Sequence, residues 1–395
     1  MMNSTDKNIK HIVFLVSCAA VLQIAESMIP HPIPGVRLGL ANMVSLVALV
    51  RMGFGVSLEV TIFRSVISSF ILGTFLSPAF FLSFSAGIAS TLVMGLVYRV
   101  TVSRHVVIFS LTGISILGSL SHNLTQILVV YFFLIQHQGI FILLPWLGIS
   151  SVVMGWITGR VASQVCQKLD NAPRDESIRV VKPHTSSFHS MHYLPGNSAI
   201  HRLKTEVKIV IVLLFSATVL FVKPVSAYAF LFLIWLTIAL ISKVPVFQMI
   251  AGLKKIIPIL LFSFLMPLLF TKSGEPIVQW GVLKISGDGL IMGTRFSLRL
   301  ILLLLNASLL VKTSEVEDLA RGAVNLMKPL KILGIRTERI STILVLSWTS
   351  IPELWDRIRD LIQQHKPQRK SFRGWIPLIS EILSSLYITV DKKEI

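Results

Sequence analysis

Apolar runs of about membrane-spanning length follow one another through most of this chain, and they leave it very few folds. In the first part they lie near 12–29, 38–50, 56–76, 79–98, 106–135 and 140–161. In the second they lie near 207–222, 225–242, 256–270 and 289–311. A helix needs roughly 20 apolar residues to cross the ~30 Å hydrocarbon core of a bilayer. Inside that core every backbone N–H and C=O must be bonded within the protein, which makes runs of this kind helices. Composition agrees: of 395 residues, 53% are hydrophobic and 14% are charged, against ~25% charged in soluble domains. The expected fold class is all-α, a polytopic membrane protein. Six spans occupy residues 1–165, a linker 166–206, and a second module of four to six spans 207–395.

The net charge of +18 follows the loops. Lys7 and Lys10 precede the first run, Arg51 separates the second and third, Arg99 and Arg104 the fourth and fifth, and Arg160 and Lys168 follow the sixth. The alternate loops near 76–79 and 136–140 have no Lys or Arg, and the 30–37 loop has only Arg37. This is the positive-inside pattern, and it places the N-terminus in the cytoplasm. No basic patch with interleaved aromatics is present, so nucleic acid is not an expected partner. Leu15-Val16-Ser17-Cys18 imitates a lipoprotein cleavage box, but the run continues through Ile24 and reads as a retained span. Two cysteines, Cys18 and Cys166, imply neither a disulfide framework nor a metal site. His184, His189, His192 and His201 lie in the linker without the carboxylates or helical spacing of a metal centre.

One region breaks the apolar series. Lys312 to Arg373 is dense in charge. Ser314 and Glu317 have capping-box spacing, and Val316, Leu319, Ala320, Ala323, Met327 and Leu330 then recur with a helical period. Pro329 should interrupt this helix. A second amphipathic helix reads Ile351, Leu354, Trp355, Ile358, Leu361 and Ile362, with Asp356, Arg357, Arg359 and Asp360 on its other faces. Short apolar runs at 340–352 and 376–389 suit interfacial or buried helices. Helices with mixed acidic and basic faces suit a protein partner; the alternative is a membrane surface, where Lys and Arg would meet anionic lipid. The chain has no G-x-x-x-x-G-K-[ST], so any ATP must be bound by separate subunits, and no cofactor is expected on the chain itself. No catalytic or metal-diphosphate motif is present either.

Polar residues within the first module are few. Glu26 ends the first run, and three prolines at alternate positions from Pro30 then form a stiff extended loop that carries Arg37. Arg64 lies within the third run, five residues after Glu59, a poor helical pair. Arg64 should face an interior, since an arginine near mid-bilayer costs at least ~2.5–3.5 kcal/mol. His122, Asn123 and Gln126 lie in the fifth run, with His122 and Gln126 on one face. Such clusters either bind substrate or hold helices together. Arg295 and Arg299 enter the last long run of the second module, where snorkelling or pairing with the loop before it would satisfy them.

The stretch from Ile24 to Asn42, with Glu26-Ser27 and Ile33-Pro34-Gly35-Val36-Arg37-Leu38-Gly39-Leu40-Ala41-Asn42, followed by Arg64 and His122-Asn123-x-x-Gln126, resembles the Gx transporter family. That family is also labelled heptaprenyl diphosphate synthase component I, and is similar to the six-span S components of energy-coupling-factor transporters. Residues 200–390 resemble the T component of those transporters, the cobalt-transport permease Q-type family. The carriers are Gly281-x-Leu283-x-Ile285-x-Gly287-Asp288-Gly289, Arg295, Arg299, Thr313-Ser314, Pro329-Leu330 and Ile351-Pro352-Glu353-Leu354. The resemblance implies a fused S-plus-T subunit of a bacterial inner-membrane importer, not itself an enzyme. An unknown small molecule would be its substrate, and two cytoplasmic ABC-type ATPases and membrane lipid its partners. Substrate-binding candidates are Glu26, Arg37, Asn42, Arg64, His122, Asn123 and Gln126. In the T family two Ala-Arg-Gly/Ser signatures enter grooves of the ATPases. Here Arg357 and Arg359 stand at about the first place, within Asp-Arg-Ile-Arg-Asp, and Arg373-Gly374 follows Phe372. The coupling candidates are Arg321, Arg357, Arg359 and Arg373. The other label implies an alternative, an accessory membrane subunit of prenyl diphosphate or quinone synthesis; a membrane scaffold with a degenerate T module is a third reading.

Overall fold

The computed structural model describes residues 4–28, 39–103, 109–171, 193–271, 273–280, 283–333 and 337–364, with a few positions between 377 and 384. Its first half contains α1 (Ser4–Met28), α2 (Leu40–Met52), α3 (Phe54–Ile71), α4 (Pro78–Ser103), α5 (Leu111–Val129) and α6 (Leu144–Asn171). A π turn (Val130–Ile135) extends α5, and a 3-10 turn (Gln138–Leu143) leads into α6. Six expected spans are six helices, although α2 is only 13 residues long, or ~20 Å at 1.5 Å per residue. Gly53 divides α2 from α3; its φ of 91° is one that a side chain would resist.

Small hydroxyl residues and glycines pull these helices close. Ser57 Oγ donates to the Ser45 carbonyl at 2.7 Å, and Thr61 Oγ1 lies 2.8 Å from both Ser45 Oγ and Thr91 Oγ1. One chain of hydroxyls thus joins α2, α3 and α4. On the other side Gly155 and Gly159 of α6 lie against α5. A Cβ on either would stand 2.6 Å from the Cα of Ile116 or Thr112. Such a small-x-x-x-small pair lets two backbones approach within a membrane.

The second half runs through α7 (Ala199–Arg202), α8 (Thr205–Phe221), α9 (Val225–Ser242), the bent pair α10 (Val246–Ala251) and α11 (Ile257–Phe270), and α12 (Gly287–Lys312). The loop before α12 holds an antiparallel hairpin, β1 (Pro276–Trp280) with β2 (Leu283–Ser286). The all-α class holds with this small exception. Among the described residues seven helices are long and apolar enough to cross a membrane, or eight if the bent pair counts as one span. Asn306 of α12 donates to the Val212 carbonyl and to Ser216 Oγ of α8, both at 3.0 Å.

The polar region forms α13 (Val316–Met327), a 3-10 turn (Lys328–Leu333) and α14 (Thr337–Gln364). Two expectations change here. The capping box is absent: Glu315 is the N-cap and makes no side-chain capping bond. Ser314 Oγ instead receives the buried Lys208 ammonium at 3.2 Å, and Glu317 accepts the Trp348 indole N–H at 2.9 Å. The 340–352 run is not a separate element but the first half of the 28-residue α14. Its apolar residues Ile343, Leu344, Ile351 and Leu354 share one buried core with α1, α2 and α3. The 376–389 run lies almost wholly outside the described residues.

The two halves therefore meet over a broad surface. Ser17 Oγ of α1 donates to the Ser347 carbonyl of α14 at 3.1 Å. Glu59 of α3 pairs with Arg339 of α14 at 2.9 Å, which gives Glu59 a partner in the other half instead of Arg64. Phe70, Phe75, Leu76 and Phe80, around the α3–α4 turn, pack with Ile209 and Val212 of α8, Leu310 and Val311 of α12, and Val316 and Leu319 of α13.

Candidate functional site

A small polar cavity opens among α1 to α6. Gln23 and Glu26 come from α1, Gly39, Ala41 and Asn42 from the start of α2, and Arg64 from α3. Ser83 comes from α4, Ser119, His122 and Asn123 from α5, and Ser151 and Met154 from α6. Only Gly39, Ala41 and Met154 among these lack a polar side chain. Glu26 is 4% exposed and Arg64 is 5% exposed.

The polar groups are oriented by one another. Gly39 takes the left-handed conformation at the start of α2, with φ 73°, and its N–H donates to Glu26 Oε1 at 2.8 Å. Arg64 Nη2 donates to Asn42 Oδ1 at 2.5 Å, and Nη1 to Gln23 Oε1 at 3.2 Å. Asn123 Nδ2 donates to Ser151 Oγ at 2.7 Å and to the Leu147 carbonyl at 3.1 Å. One wall thus presents a guanidinium held by two amide oxygens and a carboxylate held by a backbone N–H. α5 adds His122 and Asn123 to the lining. Such a site can hold a polar ligand by charge-assisted bonds, which are roughly twice as strong as neutral ones.

The second candidate surface is the α13–α14 pair. Arg321 is exposed and stands 4.0 Å from Asp318. Arg357 pairs with Glu353 one turn earlier, while Arg359 is exposed. The buried face of α14 lies against α1 and α3, so the pair touches the six-helix half on one side and leaves charge on the other.

Residues 15–165 match the family described as heptaprenyl diphosphate synthase component I, and residues 196–367 match the family described as cobalt transport protein. Curated relatives include the energy-coupling factor transporter transmembrane protein EcfT of Bacillus subtilis (strain 168). It is 29% identical over 204 residues, 49% of this chain and 77% of its own length. The EcfT of Listeria innocua is 30% identical over 206 residues, 51% of this chain and 78% of its own length. The chain belongs to the EcfT family. It is a membrane component of an energy-coupling factor transporter, and the EcfT relatives cover its C-terminal half. Those relatives are transporter transmembrane proteins, and the prenyl-synthesis alternative gains nothing from them.

The structure brings Glu26, Asn42, Arg64, His122 and Asn123 into one cavity. Gln126 is buried on α5 outside the cavity lining, and Arg37 and Arg373 lie outside the described residues. In the EcfT half, the literal triplet Ala320-Arg321-Gly322 lies on α13. There Gly322 serves packing, since a Cβ on it would meet Thr205 of α8 at 3.1 Å. Sequence reasoning missed Gln23, Ser83, Ser119 and Ser151. Gln23 had a usable signal, three residues before Glu26 on the same helix face; the serines had none. It also missed the partner of Arg299, which neither snorkels nor pairs with the hairpin loop but reaches the end of α5.

Proposed function

We propose that the chain joins substrate capture to ATP-driven coupling. The N-terminal half takes a small polar molecule into the cavity around Arg64 and Glu26. The α13–α14 pair passes on the movement of two cytoplasmic ATPases, with ATP bound on those subunits. The N-terminus and the coupling helices face the cytoplasm of a bacterial cell. Arg321, Arg357 and Arg359 are the candidate contacts to the ATPases.

The observation that carries this reading is the way the halves meet. By the count of crossings, the α3–α4 turn and the α5–α6 turn are on the outer side. Yet Phe75 and Leu76 of the first turn pack on the cytoplasmic ends of α8 and α12 and on α13. In the second turn, His137 Nε2 lies 3.3 Å from Thr271 Oγ1, at the outer end of α11. Two outer ends of one half thus meet opposite ends of the other, as they would if the six-helix half lay tipped towards the membrane plane. A substrate loaded upright from outside would be delivered by tipping the whole half over, with α14 as its cradle. The 13-residue α2, too short for an upright span, suits this.

Affinity purification from native membranes tests the reading. P-loop ATPases should co-purify, and the double variant Arg357→Ala/Arg359→Ala should lose them. Recovery of a soluble prenyl synthase without an ATPase would refute it.

A further inference from the structure

We propose that Arg299 is the latch by which the EcfT half holds the six-helix half in its tipped orientation, by capping the carbonyl end of the cavity helix α5. This rests on the reorientation reading above.

A helix end leaves its last four carbonyls without intrahelical donors. Here α5 ends in the π turn Val130–Ile135, closed by Gln136 with φ 41°. Gln136 Nε2 covers the Phe132 carbonyl at 3.1 Å. The next two carbonyls are covered from the other half: Arg299 Nη1 donates to Phe133 O and to Leu134 O, both at 3.2 Å. Arg299 Nε donates to Tyr228 Oη at 3.4 Å. The tyrosine hydroxyl is itself committed as a donor, to Val222 O at 2.9 Å. The guanidinium also stands 5.6 Å from the Phe296 ring centroid, and the residue is 2% exposed.

Each half thus carries what the other lacks. Carbonyls at a helix C-terminus attract a cation, and more strongly when water is excluded. A guanidinium in the middle of a span needs acceptors that lipid does not supply. Tyr228 of α9 supplies one from within the EcfT half; the others come from α5. That helix also carries His122 and Asn123 of the cavity, with Asn123 about 15 Å up the helix from Phe133. A push on α12 therefore reaches the cavity helix through Arg299, beside the apolar core that Leu134 and Ile135 share with Phe296 and Leu300. Arg299 is a positioning residue: it contacts the helix end and not the cavity.

The test uses the full chain with a protease site inserted between residues 172 and 192. After purification in detergent and cleavage, separation of the halves is followed by size exclusion. Wild-type halves should stay together. Arg299→Met should speed their separation by about 10- to 100-fold, while the separated C-terminal half keeps its wild-type helical circular dichroism. Arg299→Lys should fall between them, since an ammonium keeps the charge but lacks the planar fork. Arg299→Met halves that separate no faster than wild type would overturn the latch alone. Loss of helical signal in the C-terminal half would also overturn it, by making Arg299 a fold residue of that half. Wild-type halves that part on cleavage would overturn the docked arrangement itself.

Discussion

Arg64 and Arg299 are both buried arginines within spans, and their partners differ in kind. Arg64 is held by side-chain amide oxygens, of Gln23 and Asn42, beside an open cavity. Arg299 is held by backbone carbonyls at a helix end and by a tyrosine hydroxyl. An amide side chain can turn away and release a guanidinium to an incoming ligand. A helix-terminal carbonyl moves only if its helix moves. The difference suits Arg64 to the proposed binding role and Arg299 to the proposed holding role, although burial alone makes the two look alike.

The largest effect should fall on Arg64. In Arg64→Met the charge-assisted donors are lost, worth ~1.5–3 kcal/mol, or about 10- to 100-fold in ligand affinity. Native mass spectrometry after incubation with a small-molecule cell extract would read this. The wild type and Arg299→Met should both retain a bound mass that Arg64→Met has lost. Retention by Arg64→Met would break the comparison, because both arginines would then be structural.

Next in size is the wall between α5 and α6. Gly159→Val forces side-chain atoms against the backbone of Thr112, where even a Cβ would stand at 2.6 Å. Overpacking of this kind costs ~1–3 kcal/mol. A fall in the melting temperature of the whole protein is expected, with Gly148→Val, where a Cβ meets nothing within 4 Å, as the control. Equal melting of the two variants would show that α5 and α6 are not held at this contact.

The spans were legible because bilayer thickness and backbone bonding leave little choice to a run of twenty apolar residues. Arg64 was legible for a related reason, since an arginine inside such a run must have a purpose. What escaped was whatever depends on packing between helices distant in the chain. The apolar residues at 340–352 read as a short segment of their own; only contact with α1 and α3 shows them to be the buried face of one long helix. Ser314 and Glu317 have the spacing of a capping box, but Lys208 and Trp348 claim them from other helices. Arg299 read as snorkelling or pairing with the loop before it, but it is buried, and its acceptors lie 165 residues earlier in the chain. Local spacing cannot report a partner chosen by tertiary structure.

A smaller effect should come from the Glu59–Arg339 pair across the halves. Both side chains are about one-third exposed, and pairs of that kind contribute ~0–1 kcal/mol. A double-mutant cycle of Glu59→Gln and Arg339→Gln, read on the same separation assay, should give a coupling below about 1 kcal/mol. A coupling as large as the Arg299→Met effect would make this pair a second latch.

The smallest effect should be a pH dependence at the His137–Thr271 contact. His137 Nδ1 accepts the Gly139 N–H at 3.0 Å, so Nε2 carries the proton and donates to Thr271 Oγ1. Burial lowers the His137 pKa below its usual value. A histidine that is harder to protonate when folded contributes stability above its unfolded pKa of ~6.5. That contribution is lost as pH falls through the lower folded value. A protonated Nδ1 could no longer accept from Gly139, and the turn facing α11 would loosen. Separation of the cleaved halves should therefore quicken modestly as pH falls from neutrality to below the usual histidine range, and His137→Gln should flatten that dependence. The steep term for Arg299 should not change across the same range, because a guanidinium stays charged throughout. If the pH dependence survives in His137→Gln, this contact is held by a group other than the histidine, and Arg299 becomes the better-supported of the two anchors.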